Sequence, residues 1–200
     1  APSNNLSKIE AYLNALFNKI TTNQTLKVLQ ILSWIIFIGL CIEAGGIVVN
    51  TIITLVINPF GIENFWEGAD YLSSLYKFDH GHFFVITLTM IIVAVLKAIM
   101  FYLIVKLFAD KKLNISQPFS MELKRFILKL SYLALGIGLF AHFGYKYSVW
   151  LTKQGLTTAD LQSLHIAGAD VWLFMAVILF VIVQIVKRGI EIQNENDLTV

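Results

Sequence analysis

Long apolar runs alternate with shorter polar segments along the chain. Four apolar runs lie near residues 29–57, 83–108, 126–150 and 167–186. A transmembrane helix needs about 20 apolar residues to cross about 30 Å of hydrocarbon, and each run meets that length. Because no water bonds the backbone there, each span must be helical. The pattern predicts an all-α integral membrane four-helix bundle over residues 26–188, with the overlong first span leaving the membrane near Ile53.

The flanking segments are more polar. Residues 6–20 carry apolar side chains at helical spacing, with charged and amide side chains opposite, which predicts an amphipathic helix lying on the membrane surface. Residues 1–25 are therefore interpreted as an interfacial helix with a linker, and residues 189–200 as an acidic tail. The start of the chain lacks a basic segment, so we do not expect a cleavable signal peptide.

Two connections between spans also carry a pattern. In the segment 58–82, five apolar positions recur with helical spacing: Ile62, Phe65, Trp66, Ala69 and Leu72. They predict a short interfacial helix whose aromatic rings suit the headgroup region. In the segment 151–166 we expect one helical turn, capped by Thr157 or Thr158.

Composition supports the membrane interpretation. Hydrophobic residues make up 57% of the chain and charged residues 14%, against about 25% charged residues in soluble domains. The lipid bilayer is thus the expected surrounding, and a net charge of +2 gives no reason to expect direct nucleic-acid binding.

The lysines and arginines predict the orientation of the spans. Eleven of the 15 lie in or beside three segments on the same side of the predicted bundle: the segment before span one, the connection between spans two and three, and the segment after span four. They are Lys8, Lys19, Lys27, Lys106, Lys111, Lys112, Lys124, Arg125, Lys129, Lys187 and Arg188. Positive residues favour the cytoplasmic side. We therefore expect a multi-pass protein with both termini in the cytoplasm.

Two ionisable residues lie well inside predicted spans, where charges are costly and usually face other helices. They are Glu43 in the first span and Lys97 in the second, at depths that predict an interhelical contact, direct or through water. Gly39, Gly46 and Asn50 share a helical stripe with Glu43, and the glycines would let a second helix approach closely. The pair is interpreted either as a device that fixes helix register or as part of a proton or ion relay.

All four histidines fall toward the outer ends of the spans: His80, His82, His142 and His165. Asp170 lies nearby at the start of the fourth span. Imidazole with carboxylate suits zinc or copper, and paired histidines ligate haem. The alternative is that they are ordinary interfacial histidines, because no established metal motif accompanies them. A metal site at these five residues is one hypothesis; no particular cofactor is predicted.

Motifs of common enzymes are missing. The chain has no G-x-x-x-x-G-K-[ST], no G-x-S-x-G and no glycine-rich dinucleotide turn. We predict no catalytic residue and do not expect an enzyme. Four spans are too few for an ordinary inverted-repeat transporter in one chain, although a homo-oligomer would still form a pathway.

The end of the chain is the most specific segment. Three interpretations of this tail are open: it docks a partner, it folds back on the basic connection, or it remains solvated. The residues expected to bind a partner are Gln193, Glu195, Asn196, Asp197, Leu198, Thr199 and Val200. Together with Gln117-Pro118-Phe119 and the four-span layout, the tail resembles a bacterial membrane family, the domain-of-unknown-function family 2975. The sequence of residues 192–200 resembles that of the Bacteroidetes members of this family. The resemblance runs from Leu26 onward.

That resemblance implies a bacterial inner-membrane location and a small cytoplasmic helix-turn-helix regulator as a partner. It supplies no catalytic residues. Three functions follow as hypotheses. The first is a membrane-embedded regulatory or sensory protein of unknown ligand. The second is a small oligomeric transporter or channel that uses Glu43 and Lys97. The third is a metal or haem protein that uses the histidines.

Overall fold

The computed structural model describes residues 22–65, 67–110 and 119–197, and these form helices and loops without a strand. Five α-helices follow one another: α1 (Thr22–Ile52), α2 (Ala69–Phe78), α3 (His80–Ala109), α4 (Met121–Lys153) and α5 (Ala169–Asp197). A π-helical turn (Ile53–Ile57) and a 3₁₀ helix (Pro59–Asn64) lie between α1 and α2. The predicted interfacial helix at residues 6–20 lies outside the described residues.

Four helices are long and apolar enough to cross a membrane, which confirms the predicted all-α four-helix architecture: α1 together with the π-helical turn, α3, α4 and α5. Each begins or ends beyond its apolar run. α3 begins at His80 because the side chain of Asp79 accepts a hydrogen bond from the backbone N–H of His82. α4 begins at Met121 because Ser120 caps it in the same way.

The helices pack in the order of the chain. Among the described residues, α1 packs on α3, α3 on α4 and α4 on α5. Small residues line the α4 surface in these contacts, and Ala134, Gly138 and Ala141 are buried. Large apolar side chains remain exposed along α1 and α5, for example Ile35 and Phe174 at 63% and 67%. Such faces are expected where lipid is the surrounding medium.

The two ends of the bundle differ. We call the end that carries residues 53–79 and 154–168 the loop end, and the opposite end, where α1 begins and α5 ends, the terminal end. α1 stops at Ile52, close to the predicted exit at Ile53, and the π-helical turn leads into the 3₁₀ helix. An even number of spans places both ends of the described chain on one side.

The segment between α1 and α3 contains short helices, which confirms the predicted helical character, but the α-helix lies further along the chain than expected. The α-helix begins only at Ala69, after the 3₁₀ helix. Ile62, Phe65 and Leu72 are buried at 5%, 5% and 0% exposure. They pack in the core that also contains α3 residues, so burial within the protein, rather than contact with headgroups, explains their spacing.

The segment between α4 and α5 turns inward. Leu164 and Ile166 are fully buried. The turn that precedes them is organised by Asp160, whose carboxylate accepts from the N–H of Gln162 and whose carbonyl accepts from the Ser163 hydroxyl. The predicted cap at Thr157 or Thr158 is therefore wrong, because an aspartate closer to the turn supplies it.

Candidate functional site

His165 stands at the centre of the loop end. Its backbone adopts φ +58°, a left-handed conformation that costs a non-glycine residue about 1–2 kcal/mol. The conformation is held from both sides, because the N–H of His165 donates to Gln162 and the neighbouring Leu164 and Ile166 are buried. Strained residues of this kind persist where the surroundings fix them, and they are frequent at functional sites.

The loop between α4 and α5, which carries His165, packs closely against α4 because α4 has a glycine at the point of contact. A Cβ at Gly144 would lie 2.8 Å from Cδ1 of Ile166 and 3.2 Å from Cγ2 of Thr89. Only a residue without a side chain lets Ile166 approach α4 this closely. Non-helical backbone is thus packed inside the bundle, as membrane proteins tolerate only where protein or a cavity surrounds it.

Two carboxylates flank the His165 ring. Nδ1 lies 3.3 Å from Oε1 of Glu43 on α1, and Nε2 lies 3.8 Å from Oε2 of Glu67, which precedes α2. The Glu43 oxygen is shielded from solvent and accepts no hydrogen bond, so the contact with Nδ1 is electrostatic and poorly aligned for a hydrogen bond. With a protonated ring both contacts become ion pairs, which join α1 and the segment before α2 to the loop.

Lys97 contacts the same residue from α3. Its Nζ donates to the backbone carbonyl of His165 over 3.0 Å. The predicted Glu43–Lys97 contact is absent as a direct ion pair, because His165 lies between them and takes a contact from each. The side chain of a helical residue leans toward the helix N-terminus, and the N-terminus of α3 is at the loop end. Lys97 therefore reaches toward the loop.

A cavity of about 260 Å³ opens beside this cluster, lined by Glu43, Gly46, Ile47, Asn50, Asn64, Phe65, Glu67, Met90 and His165. Nδ2 of Asn50 donates to the carbonyl of Asn64 over 3.1 Å and holds the 3₁₀ helix against α1. Three residues of the predicted Glu43 stripe thus belong to one site. Gly39 does not line the cavity, and a Cβ there would meet no atom of the described residues within 4 Å.

The remaining histidines do not join this site. His82 lies 2.6 Å from the Tyr147 hydroxyl, His80 stacks on Tyr76, and His142 lies near Tyr145 with ring centroids 6.4 Å apart. Asp170 is exposed in the first turn of α5. The described residues contain no group of three or more histidine, cysteine or acidic side chains that could hold a metal ion. The prediction that His80, His82, His142, His165 and Asp170 form one metal site is therefore wrong, because each histidine has different neighbours.

The tail continues α5 as far as Asp197, so residues 189–197 form one continuous helix with the last span. The boundary between span and tail at residue 189 stays a prediction. Glu191 pairs with Arg188 at 3.1 Å and with Lys187 at 4.0 Å on its own helix. Gln193 is half-buried and Glu195 is exposed. The side chains of Asn196 and Asp197, and the residues Leu198, Thr199 and Val200, lie outside the described part of the chain. Residues 111–118 of the basic connection lie outside the described residues, so the predicted contact between the tail and that connection stays a prediction.

Sequence reasoning missed Glu67 and Asn64 and misjudged the partners of His165. All three lie in connections, where spacing along the chain does not predict which helix a side chain meets. One signal was present: Leu164 and Ile166 flank His165 as apolar residues in an otherwise polar connection, a pattern that favours burial.

Comparison with known proteins gives one match. The family model described as "Protein of unknown function (DUF2975)" matches residues 63–200. The match includes Glu67, Lys97 and His165 but not Glu43 or Asn50, so the expected resemblance from Leu26 onward is shown from residue 63. No curated protein and no solved structure matches the chain. Since the matched part is well over half of the chain, the protein belongs to this family of unknown function.

Proposed function

We propose that the protein is a membrane-embedded sensor of the bacterial inner membrane, with the loop end outside the cytoplasm and the terminal end inside. The lysines and arginines at the terminal end support this orientation through the positive-inside preference. Lys106, Lys129, Lys187 and Arg188 lie at the ends of three spans on that side. The bilayer is the partner of the exposed apolar faces.

The observation that carries the proposal is the position of His165 between three elements and a continuous helix. His165 contacts α1 through Glu43, the segment before α2 through Glu67, and α3 through Lys97. Four residues later α5 begins, and it runs without a break to Asp197. At 1.5 Å per residue, its 29 residues extend over about 43 Å.

This arrangement favours signalling over a purely structural role. A change that separates His165 from Glu43 or Lys97 releases the loop that leads into α5. Because a helix is stiff, a shift or rotation at Ala169 displaces the other end of α5. We therefore assign the role of latch to the His165 cluster, defined as Glu43, Glu67, Lys97 and His165. The latched and released arrangements form the two states that a signal would shift.

The end of α5 is the proposed output. Glu191–Asp197 extends beyond the apolar part of α5 on the cytoplasmic side, and the family resemblance suggests a small helix-turn-helix regulator as its partner. In a co-expression experiment, deletion of residues 191–200 is expected to abolish co-purification of that regulator while membrane insertion is retained. The double variant K187Q/R188Q, which leaves the helix in place, serves as a control for loss of charge alone. Unchanged co-purification after the deletion would contradict the proposed output.

A second function is supported by one observation. Glu43 and Lys97 are ionisable, lie within spans and both contact His165, and intramembrane ionisable residues of this kind are common in proton and ion pathways. An oligomeric transporter or channel is therefore the competing proposal. Flux across liposomes that contain the purified protein is expected to fall in E43Q if this function is correct. Absence of flux for protons and common ions in the wild type would remove it.

A further inference from the structure

The cavity beside the latch combines negative charge with an apolar wall. Glu43 and Glu67 contribute carboxylates, and Asn50 and Asn64 contribute amide groups. The opposite part of the lining is apolar and includes Phe65 and Met90, both buried. A site with a few polar groups on an otherwise apolar wall is typical of small-molecule recognition.

One polar atom of the lining has no hydrogen-bond donor among the residues that the structure describes. Oε1 of Glu43 is shielded from solvent, and its closest charged neighbour, Nδ1 of His165, is 3.3 Å away in an orientation that makes no hydrogen bond. A buried carboxylate oxygen without a donor is destabilising. A ligand that brings an N–H donor into the cavity would therefore gain a charge-assisted hydrogen bond there.

The charges of the lining favour a cation. Among the described residues, two carboxylates and one histidine line the cavity, and no lysine or arginine does. Lys97 does not line the cavity, and its Nζ donates to the carbonyl of His165. Its positive charge offsets one of the two carboxylates, so the site keeps net negative charge. A divalent metal fits less well, because the described residues include no group of three suitable ligands. A volume of about 260 Å³ lies just below the range of drug-sized sites, about 300–1,000 Å³, so the ligand is small.

We propose that this cavity binds a primary ammonium group on a short stem, such as ethanolamine or the headgroup of phosphatidylethanolamine. The three N–H donors of a primary ammonium suit the carboxylates of Glu43 and Glu67 and the amide oxygens of the wall. The ammonium competes with His165 for Glu43, and its binding thereby opens the latch. This inference rests on the proposed sensory function, since it names what the sensor recognises.

Equilibrium binding of labelled ethanolamine to the full chain in phosphatidylcholine nanodiscs tests the proposal. We expect saturable binding that ethylene glycol, a neutral molecule of the same size, does not displace. E67Q is expected to weaken binding about tenfold or more, because a charge-assisted hydrogen bond is lost. E43Q is expected to do the same. Glu67 is 57% exposed, so E67Q keeps the test valid even where E43Q does not fold.

Glu63 provides a matched control. It lies in the same connection and is exposed, but it does not line the cavity, so E63Q is expected to bind ethanolamine like the wild type. Nanodiscs that contain phosphatidylethanolamine distinguish the source of the ammonium. Loss of free ethanolamine binding in them identifies the lipid headgroup as the ligand, and unchanged binding identifies the free amine.

The results separate this inference from the proposed function. Absence of saturable ethanolamine binding together with no preference for phosphatidylethanolamine overturns the ligand. Equal affinity in E67Q and wild type, or displacement by ethylene glycol, overturns it as well. If ethanolamine binds as expected but hydrogen exchange at the end of α5 does not change, the binding site is confirmed and the sensory function is contradicted. If removal of the His165 ring changes hydrogen exchange at the end of α5 while no amine binds, the latch is confirmed and the proposed ligand is contradicted.

Discussion

The loop end and the terminal end of the bundle are built on different principles. At the loop end, two connections fold into the protein, bury Leu72, Leu75, Leu164 and Ile166 completely, and meet at His165. At the terminal end, an open groove of about 250 Å³ lies between the end of α3 and the start of α4. Its charged lining residues are Lys106, Asp110, Glu122, Arg125 and Lys129. The loop end is held by two packed connections, whereas the described part of the terminal end presents charged side chains at a groove.

From this difference we expect the loop end to receive a signal and the terminal end to transmit it. A packed end with a strained residue is suited to the two states of the proposed latch, because cores repack rather than deform continuously. The helical end Glu191–Asp197, in which Ile192, Asn194 and Glu195 are exposed, is suited to display a change. The following predictions test the difference, from the largest expected effect to the smallest.

Removal of a buried leucine should damage the loop end most. L164A is expected to destabilise the protein by about 2–5 kcal/mol, because Leu164 is fully buried and its loss leaves a cavity. The same change at Leu107, half-buried at the terminal end, should have a clearly smaller effect. Denaturant unfolding of both variants in a mild detergent measures the difference. Equal losses would show that the two ends do not differ in packing.

Two glycines give a closer comparison. A Cβ at Gly144 would lie 2.8 Å from Ile166, and one at Gly189 would lie 2.7 Å from the ring of Phe119. Ile166 is 1% exposed and Phe119 is 39% exposed, so only the phenylalanine has room to move. G144A should destabilise by about 1–3 kcal/mol through overpacking. G189A should have a much smaller effect, or stabilise by up to about 1 kcal/mol through helix propensity.

Thermal unfolding of the two glycine variants, with G39A as a third, checks this prediction. A Cβ added at Gly39 would meet no atom within 4 Å, so G39A should behave like G189A or be slightly more stable. A destabilisation by G189A as large as that by G144A would contradict the account of a rigid loop end.

Acid should loosen the start of α3 before the start of α4. The hydrogen bond from the N–H of His82 lowers the pKa of Asp79 below its ordinary value. Because the folded pKa is depressed, the stabilisation by this cap is present above the unfolded pKa, about 3.9, and is lost as the pH falls through the folded value. Ser120 caps α4 without titrating.

Hydrogen exchange at residues 80–83, followed from pH 6 downward and corrected for the intrinsic rate, measures this loss. The effect is expected to be small, since Asp79 is exposed. D79N keeps a capping side chain that does not titrate, so its protection should not change with pH. The same pH dependence in D79N and wild type would assign the effect to another group.

The helices and their membrane character could be predicted from the sequence because hydrophobic length is a local property. The ends of α3 and α4 extend past the apolar runs because caps at Asp79 and Ser120, rather than hydropathy, decide where a helix begins. The core positions Ala134 and Gly138 were also predictable, since small residues mark close helix packing.

The site could be predicted only in part. Glu43 and Lys97 are conspicuous because charge is rare in a span, and Asn50 follows from helical spacing. The sequence does not predict that Glu43 and Lys97 both contact His165. That arrangement depends on a connection that turns inward at Asp160 and places His165 between two helices. Glu67 belongs to another connection, and nothing in its local sequence points toward His165.

The central claim is that His165 couples the loop end to the end of α5. Hydrogen exchange of the full chain in nanodiscs tests it directly, with H165A compared with the wild type and Q162A as a control in the same loop, since the Gln162 side chain is exposed. The account predicts faster exchange in H165A both at residues 154–168 and at residues 189–197, with Q162A unchanged at the second segment. Faster exchange at the loop with no change at residues 189–197 would contradict it.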